Sequence, residues 1–196
     1  VDYSAYRAEF DPAPAQRLLG EATPIYRYWE PVPARMRRYN PEMKIIVILR
    51  NPVTRAYSHW NHERQAGREP LPFHEALLAE PDRAQKLRPR QLRRYSYIDR
   101  GFYTRQLERV WRHFPVEQTL VLKTDDLRRA PDDVLSRIAR FLGIASFRTT
   151  AARTVHAREY QRPMTTAERS YLVGVFTDEV KALERMLGWD CTDWLA

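Results

Sequence analysis

Cysteine is all but missing from this 196-residue chain, with Cys191 standing alone. One cysteine excludes an internal disulfide framework and a cysteine-based zinc site, and a reducing, cytoplasmic compartment is the expectation. Glycine is sparse: the six residues fall at 20, 67, 101, 143, 174 and 188, never two close together. No Gly-x-x-x-x-Gly-Lys-[Ser/Thr] loop can be assembled from them, which argues against a nucleotide kinase, the first competing class. No apolar run approaches the ~20 residues of a membrane span. No secretory apolar region opens the sequence, and there are no internal repeats or low-complexity tracts. Lysine is scarce too. Only Lys44, Lys86, Lys123 and Lys181 are lysine, and the other 29 of the 33 basic residues are arginine.

What is present is therefore a basic chain of net charge +8 carried on planar guanidinium forks. Such forks suit phosphate and sulfate, although genome base composition also favours arginine. A non-enzymatic nucleic-acid binder, the second competing class, would explain the charge, but no recognition helix or RNA-binding signature accompanies it. Length and a 43% hydrophobic content suit one domain over 1–196 with a substantial core.

Apolar periodicity orders the chain. "LLGEA" at 18–22 predicts a short strand ending at Glu21, and "PVPARMRRYN" a helix opened by prolines. "KIIVILR" at 44–50 is the clearest strand; its five consecutive apolar residues predict cover on both faces of a parallel sheet. Asn51 caps the next helix and Pro52 takes its first position, with an end near Gln65 and an exit at Gly67. Further helices are predicted over "PFHEALLAE", "GFYTRQLERVWRHF", "PDDVLSRIARFLGI" and 165–186, and a third strand over "QTLVLKT". Strands alternating with helices predict an α/β fold with a central parallel sheet flanked by helices.

Arg50 falls where the best strand ends, the place where such sheets gather ligands and helix N-termini face anions. Arg55, Ser58, His59 and His62 share one face of the following helix by their spacing. Arg50 and Ser58 can supply a charged fork and a neutral donor to one anion. A surface ion pair and a serine on a solvated face are the ordinary alternative.

Read together, four segments resemble the PAPS-dependent sulfotransferases, above all the heparan-sulfate-type and related bacterial branches, where PAPS is 3′-phosphoadenosine 5′-phosphosulfate. "RNPVTRAYSHW" resembles the family's 3′-phosphate motif. "GEATPIY" at 20–26 resembles Gly-Glu-x-[Ser/Thr]-Pro-x-Tyr with its glutamate. "GFYTRQLERVWRHFPVEQTLVLKTDDLRRAPDDVLSRIARFLGI" follows the Gly-x-Tyr to Phe-Leu-Gly pattern, and "REYQRPMTTAERSYL" resembles the late loop that closes over the nucleotide. The resemblance implies a P-loop-NTPase-like three-layer fold, a PAPS co-substrate leaving as adenosine 3′,5′-bisphosphate, and no metal. It implies Glu21 as general base, Arg50 and Ser58 on the 3′-phosphate, and Arg158 and Tyr160 as further nucleotide contacts. Acceptors bearing a hydroxyl or amine, whether glycan, lipid or small molecule, are the expected partners, with no nucleic acid and no membrane span. The family's Lys-x-Gly-[Thr/Ser]-[Thr/Ser] turn for the 5′-phosphosulfate does not occur in these 196 residues; the expectation is that it lies outside them rather than having been lost. Tyr103 of the Gly-x-Tyr element is expected in the core, and the basic stretch from Arg83 to Arg94 on a solvated face or against an anionic acceptor. His59 and His62 complete no recognised metal order.

Overall fold

The computed structural model describes residues 3–14, 16, 18–88, 90–147, 160 and 162–196. In chain order the helices and strands are α1 (Ser4–Ala8), α2 (Val32–Tyr39), β1 (Ile45–Leu49), α3 (Pro52–Gln65), α4 (Phe73–Leu78), α5 (Glu80–Leu87) and α6 (Tyr103–Trp111). They continue as β2 (Thr119–Lys123), α7 (Thr124–Arg129), α8 (Pro131–Leu142), α9 (Thr166–Leu187) and α10 (Thr192–Leu195). Among the described residues β1 and β2 form a two-stranded parallel sheet, with Ile45 opposite Thr119 and Leu49 opposite Lys123. Parallel strands need a long crossover, and α3 to α6 supply it.

Local chemistry sets the boundaries. Asn51 caps α3, its Oδ1 accepting from the amides of Val53 at 2.8 Å and Thr54 at 3.3 Å, and Gly67 leaves the helix at φ +68°. α9 opens on a capping box between Thr165 and Glu168 and closes on Gly188 at φ +64°. Its Leu172, Phe176, Val180 and Leu183 are buried at helical spacing and pack towards α3, α6 and α10. Gly101 leaves room for this helix. A Cβ there would stand 2.5 Å from the Phe176 ring, which is fully buried and has nowhere to go.

Two expectations are corrected. Residues 18–22 form no strand, and Leu18 and Leu19 are 50% and 55% exposed. Two adjacent leucines point opposite ways in a strand, and among the described residues no neighbouring strand takes up their backbone groups. β1 is covered on one face, not two: Val47 and Leu49 are buried, while Ile46 and Ile48 remain 36% and 43% exposed. A continuous apolar run reports what a strand could bury, not what stands beside it. No described helix is long and apolar enough to cross a membrane.

Candidate active site

At the β1–α3 junction the Arg50 side chain reaches the first turns of α3, the helix that carries Ser58. In a helix the Thr54 carbonyl is the acceptor for the Ser58 amide, one turn on. Arg50 Nη2 donates to that same carbonyl at 3.0 Å, so the guanidinium lies against the turn carrying Ser58. The Ser58 hydroxyl has no hydrogen-bond partner among the described residues. Arg50 is fixed from behind as well, its own carbonyl accepting from the buried Tyr103 hydroxyl at 3.0 Å. Asn51 adds a tie across the sequence, donating from Nδ2 to the Trp194 carbonyl at 3.1 Å. A charged fork thus lies against the first turns of a capped helix that carries a free hydroxyl, an arrangement suited to an anion.

The rest of the predicted α3 face divides. Arg55 donates from Nη2 to the Tyr97 carbonyl, and the His59 ring stands edge-on to Tyr97 at 4.9 Å. Burial, aided by the Arg55 and Arg100 charges, pushes His59 down to about 2, so it stays neutral and is a weak base. His62 is exposed. Among the described residues no group of three or more His, Cys, Asp or Glu side chains is placed to hold a metal ion.

Glu21 is exposed, in an irregular segment, with the Tyr6 and Tyr26 phenols near its carboxylate. Burial and then the Glu21 charge push Tyr6 up to about 12. An exposed carboxylate so placed keeps lone pairs for an incoming hydroxyl. Tyr160 is half exposed and rests its ring 5.3 Å from that of Tyr57, the residue before Ser58. Arg158 lies outside the described residues. Of the basic stretch, Arg83 is bound to Glu69 and Arg93 stacks over Trp29, while Lys86, Arg88, Arg90 and Arg94 point to solvent.

Sequence reasoning passed over a group of cations beside this junction. Arg27 lies over the Tyr103 ring at 5.5 Å, and Arg100 over the Tyr28 ring at 5.1 Å. Burial, then neighbouring guanidiniums, lowers the pKa of each, with Arg100 falling to about 10; for Arg27 the Tyr103 phenol opposes this. No local pattern announces them, because Arg27, Arg55 and Arg100 come from three separate segments.

This arrangement coincides with a family likeness. Residues 31–171 match the family model described as "Sulfotransferase domain", and the chain belongs to that family. It is 35% identical over 145 residues to the bifunctional heparan sulfate N-deacetylase/N-sulfotransferase 1 of Xenopus tropicalis, covering 70% of this chain and 16% of that protein. To the human heparan sulfate glucosamine 3-O-sulfotransferase 3B1 it is 33% identical over 128 residues, 65% of this chain and 32% of the relative. It thus spans a small part of the length of these curated relatives. A sulfotransferase structure from Alicyclobacillus acidocaldarius superposes over 100% of this chain and 74% of its own, at 29% identity and a TM-score of 0.84. The fold class is accordingly the P-loop-NTPase-like α/β fold of sulfotransferases, its parallel sheet flanked by helices.

Proposed function

We propose that this chain transfers a sulfuryl group from PAPS to a hydroxyl or amine, leaving adenosine 3′,5′-bisphosphate. The observation that carries the reading is Arg50 lying against the Thr54 carbonyl in the first turns of α3, the helix that carries the unpartnered Ser58 hydroxyl one turn on. Arg50 and Ser58 hold the 3′-phosphate, donating two differently shaped hydrogen bonds that fix the nucleotide's direction. Tyr160 lies close enough to α3, through Tyr57, to border the nucleotide, and Arg158 is the further contact.

The reaction needs one base and one displaced oxygen. As the acceptor oxygen or nitrogen bonds to sulfur, the bond from sulfur to the 5′-phosphate oxygen breaks in line, and the acceptor proton passes to the Glu21 carboxylate. Negative charge gathers on the departing phosphate, where cationic side chains and helix amides favour it. The two relatives named above include an N-sulfotransferase and a 3-O-sulfotransferase, which supports both acceptor classes.

Nucleotide titration and labelled-sulfate turnover test this together. Glu21→Gln keeps affinity for adenosine 3′,5′-bisphosphate and loses turnover by about 100-fold or more. Arg50→Ala weakens the bisphosphate by roughly 10- to 100-fold before anything else changes. Undiminished turnover in the glutamine variant removes Glu21 from the reaction. Unchanged bisphosphate affinity in the alanine variant removes the donor site from this junction.

A further inference from the structure

The end of β1 is held by hydroxyls that arrive from two other helices. Thr124 Oγ1, at the first position of α7, donates to the Leu49 carbonyl at 3.0 Å. The Tyr103 hydroxyl, at the first position of α6, donates to the Arg50 carbonyl at 3.0 Å. These two carbonyls bracket one residue. The first lies in the peptide plane that leads into Arg50, and the second in the plane that leads out of it. Peptide planes are rigid, so a residue with both planes held has little freedom left in either soft torsion. The Cα–Cβ bond of Arg50 is thereby aimed, and its fork is tied at the far end to the Thr54 carbonyl at 3.0 Å.

Both donors are themselves anchored. Tyr103 is 1% exposed, and the next residue, Thr104, gives its amide and its hydroxyl to the Glu179 carboxylate, each at 2.8 Å. Burial pushes the Tyr103 phenol up, against the pull of the Arg55, Arg27 and Arg50 charges, so it keeps the proton it donates. Thr124 follows Lys123, the β2 residue in register with Leu49, so the sheet itself sets the reach of its hydroxyl. A strand-end carbonyl can be met by water as well; here two elements distant in sequence converge on one arginine. We propose, on the reading that Arg50 holds the nucleotide 3′-phosphate, that Tyr103 and Thr124 are positioning residues which keep its guanidinium aligned before the nucleotide arrives. A long side chain ordered in advance loses less freedom on binding, and the gain is felt in affinity for the group it meets.

Titration with adenosine 3′,5′-bisphosphate and with adenosine 5′-monophosphate, which lacks the 3′-phosphate, tests this as a ratio of affinities. Tyr103→Phe and Thr124→Val each remove one hydroxyl and little volume. Each is expected to weaken the bisphosphate by about fivefold and to leave the monophosphate where it was. Thr124→Ser, which keeps the hydroxyl, restores the ratio. In turnover the losses fall on the KM for PAPS rather than on kcat. Added to Arg50→Ala, neither substitution lowers the ratio further. A hydroxyl that only supports the fold would weaken both nucleotides alike, because unfolded protein binds neither. Equal losses therefore overturn the positioning role, as does an unchanged ratio in both variants. If Tyr103→Phe fails to fold, Thr124→Val and its serine counterpart decide by the same ratio. An Arg50→Ala protein whose ratio matches wild type brings down the donor seat and the positioning role with it. A ratio lowered in Arg50→Ala alone overturns the positioning role and leaves the seat.

Discussion

Glu69 and Arg100 lie in neighbouring parts of the molecule and show opposite uses of charge. Glu69 is 1% exposed, yet every donor around it is committed: both forks of Arg83 at 2.6 and 3.0 Å, the Tyr97 hydroxyl at 2.7 Å and the Leu71 amide at 3.0 Å. Burial alone would raise this carboxyl, but Arg83 and the other donors outweigh it and hold it low. Around Arg27, Arg55 and Arg100 burial outweighs the groups that favour the charge: Tyr103 at Arg27, Tyr103 and Glu80 at Arg55, Tyr28 and Glu63 at Arg100, and each pKa is lowered. A buried ion that is fully met belongs to the architecture. One whose burial outweighs its partners is a cost to the fold.

The contrast can be broken first at its strongest point. Glu69→Ala strands Arg83 and Tyr97 and is expected to remove about 3–5 kcal/mol, read as a fall in denaturant midpoint at unchanged slope. A loss under 1 kcal/mol would mean that the paired region is no firmer than the unpaired one.

Glu80 sharpens the comparison, since it lies between the two. Its carboxylate accepts from the amides of Ile98 at 2.7 Å and Asp99 at 2.8 Å, yet burial raises it to about 7. A carboxyl whose folded pKa lies above its unfolded value contributes stability that is complete below about pH 4.5. That contribution is lost as pH rises through 7. Comparing wild type with Glu80→Gln from pH 5 to 8 should move the stability difference towards the glutamine variant by on the order of 2–3 kcal/mol. A constant difference would show Glu80 to be an ordinary ionised acid.

The smallest effect belongs to the capping box. Glu168 is held at about 2, chiefly by Arg162 and then by the Thr165 amide and hydroxyl. The Arg162 side chain is 40% exposed, so the ion pair is discounted for solvent screening, and Glu168→Ala should cost about 1–2 kcal/mol at pH 7. That difference fades as pH falls from about 4.5 towards 2, where the wild-type carboxyl takes up its proton. A gap that persists at pH 2 would assign the effect to packing instead.

Helix boundaries were legible wherever a special residue enforces them. Asn51 with Pro52, Pro131 with Gly143 and Thr165 with Glu168 set the limits of α3, α8 and α9 where the sequence predicts them. The inner face of α6, carried by Tyr103, Leu107 and Val110, was readable from spacing alone. The strand-to-helix junction at Arg50 was legible too, because the end of β1, Asn51 and Pro52 lie in one short motif. What could not be read depends on distant partners. Nothing near residue 20 says that Leu18 and Leu19 stay outside a sheet, nothing within 45–49 reveals which face goes uncovered, and residues 27, 55 and 100 meet only after folding.

Asn51 ties the start of α3 to a remote part of the sequence. One carboxamide fastens the first amides of α3 and grips the carbonyl of Trp194, 143 positions away. Any loosening of α10 therefore frees the carboxamide to turn, and the amides of Val53 and Thr54 lose their anchor with it. Hydrogen exchange at those two amides would thus report from a distance on whether the chain around Trp194 is docked.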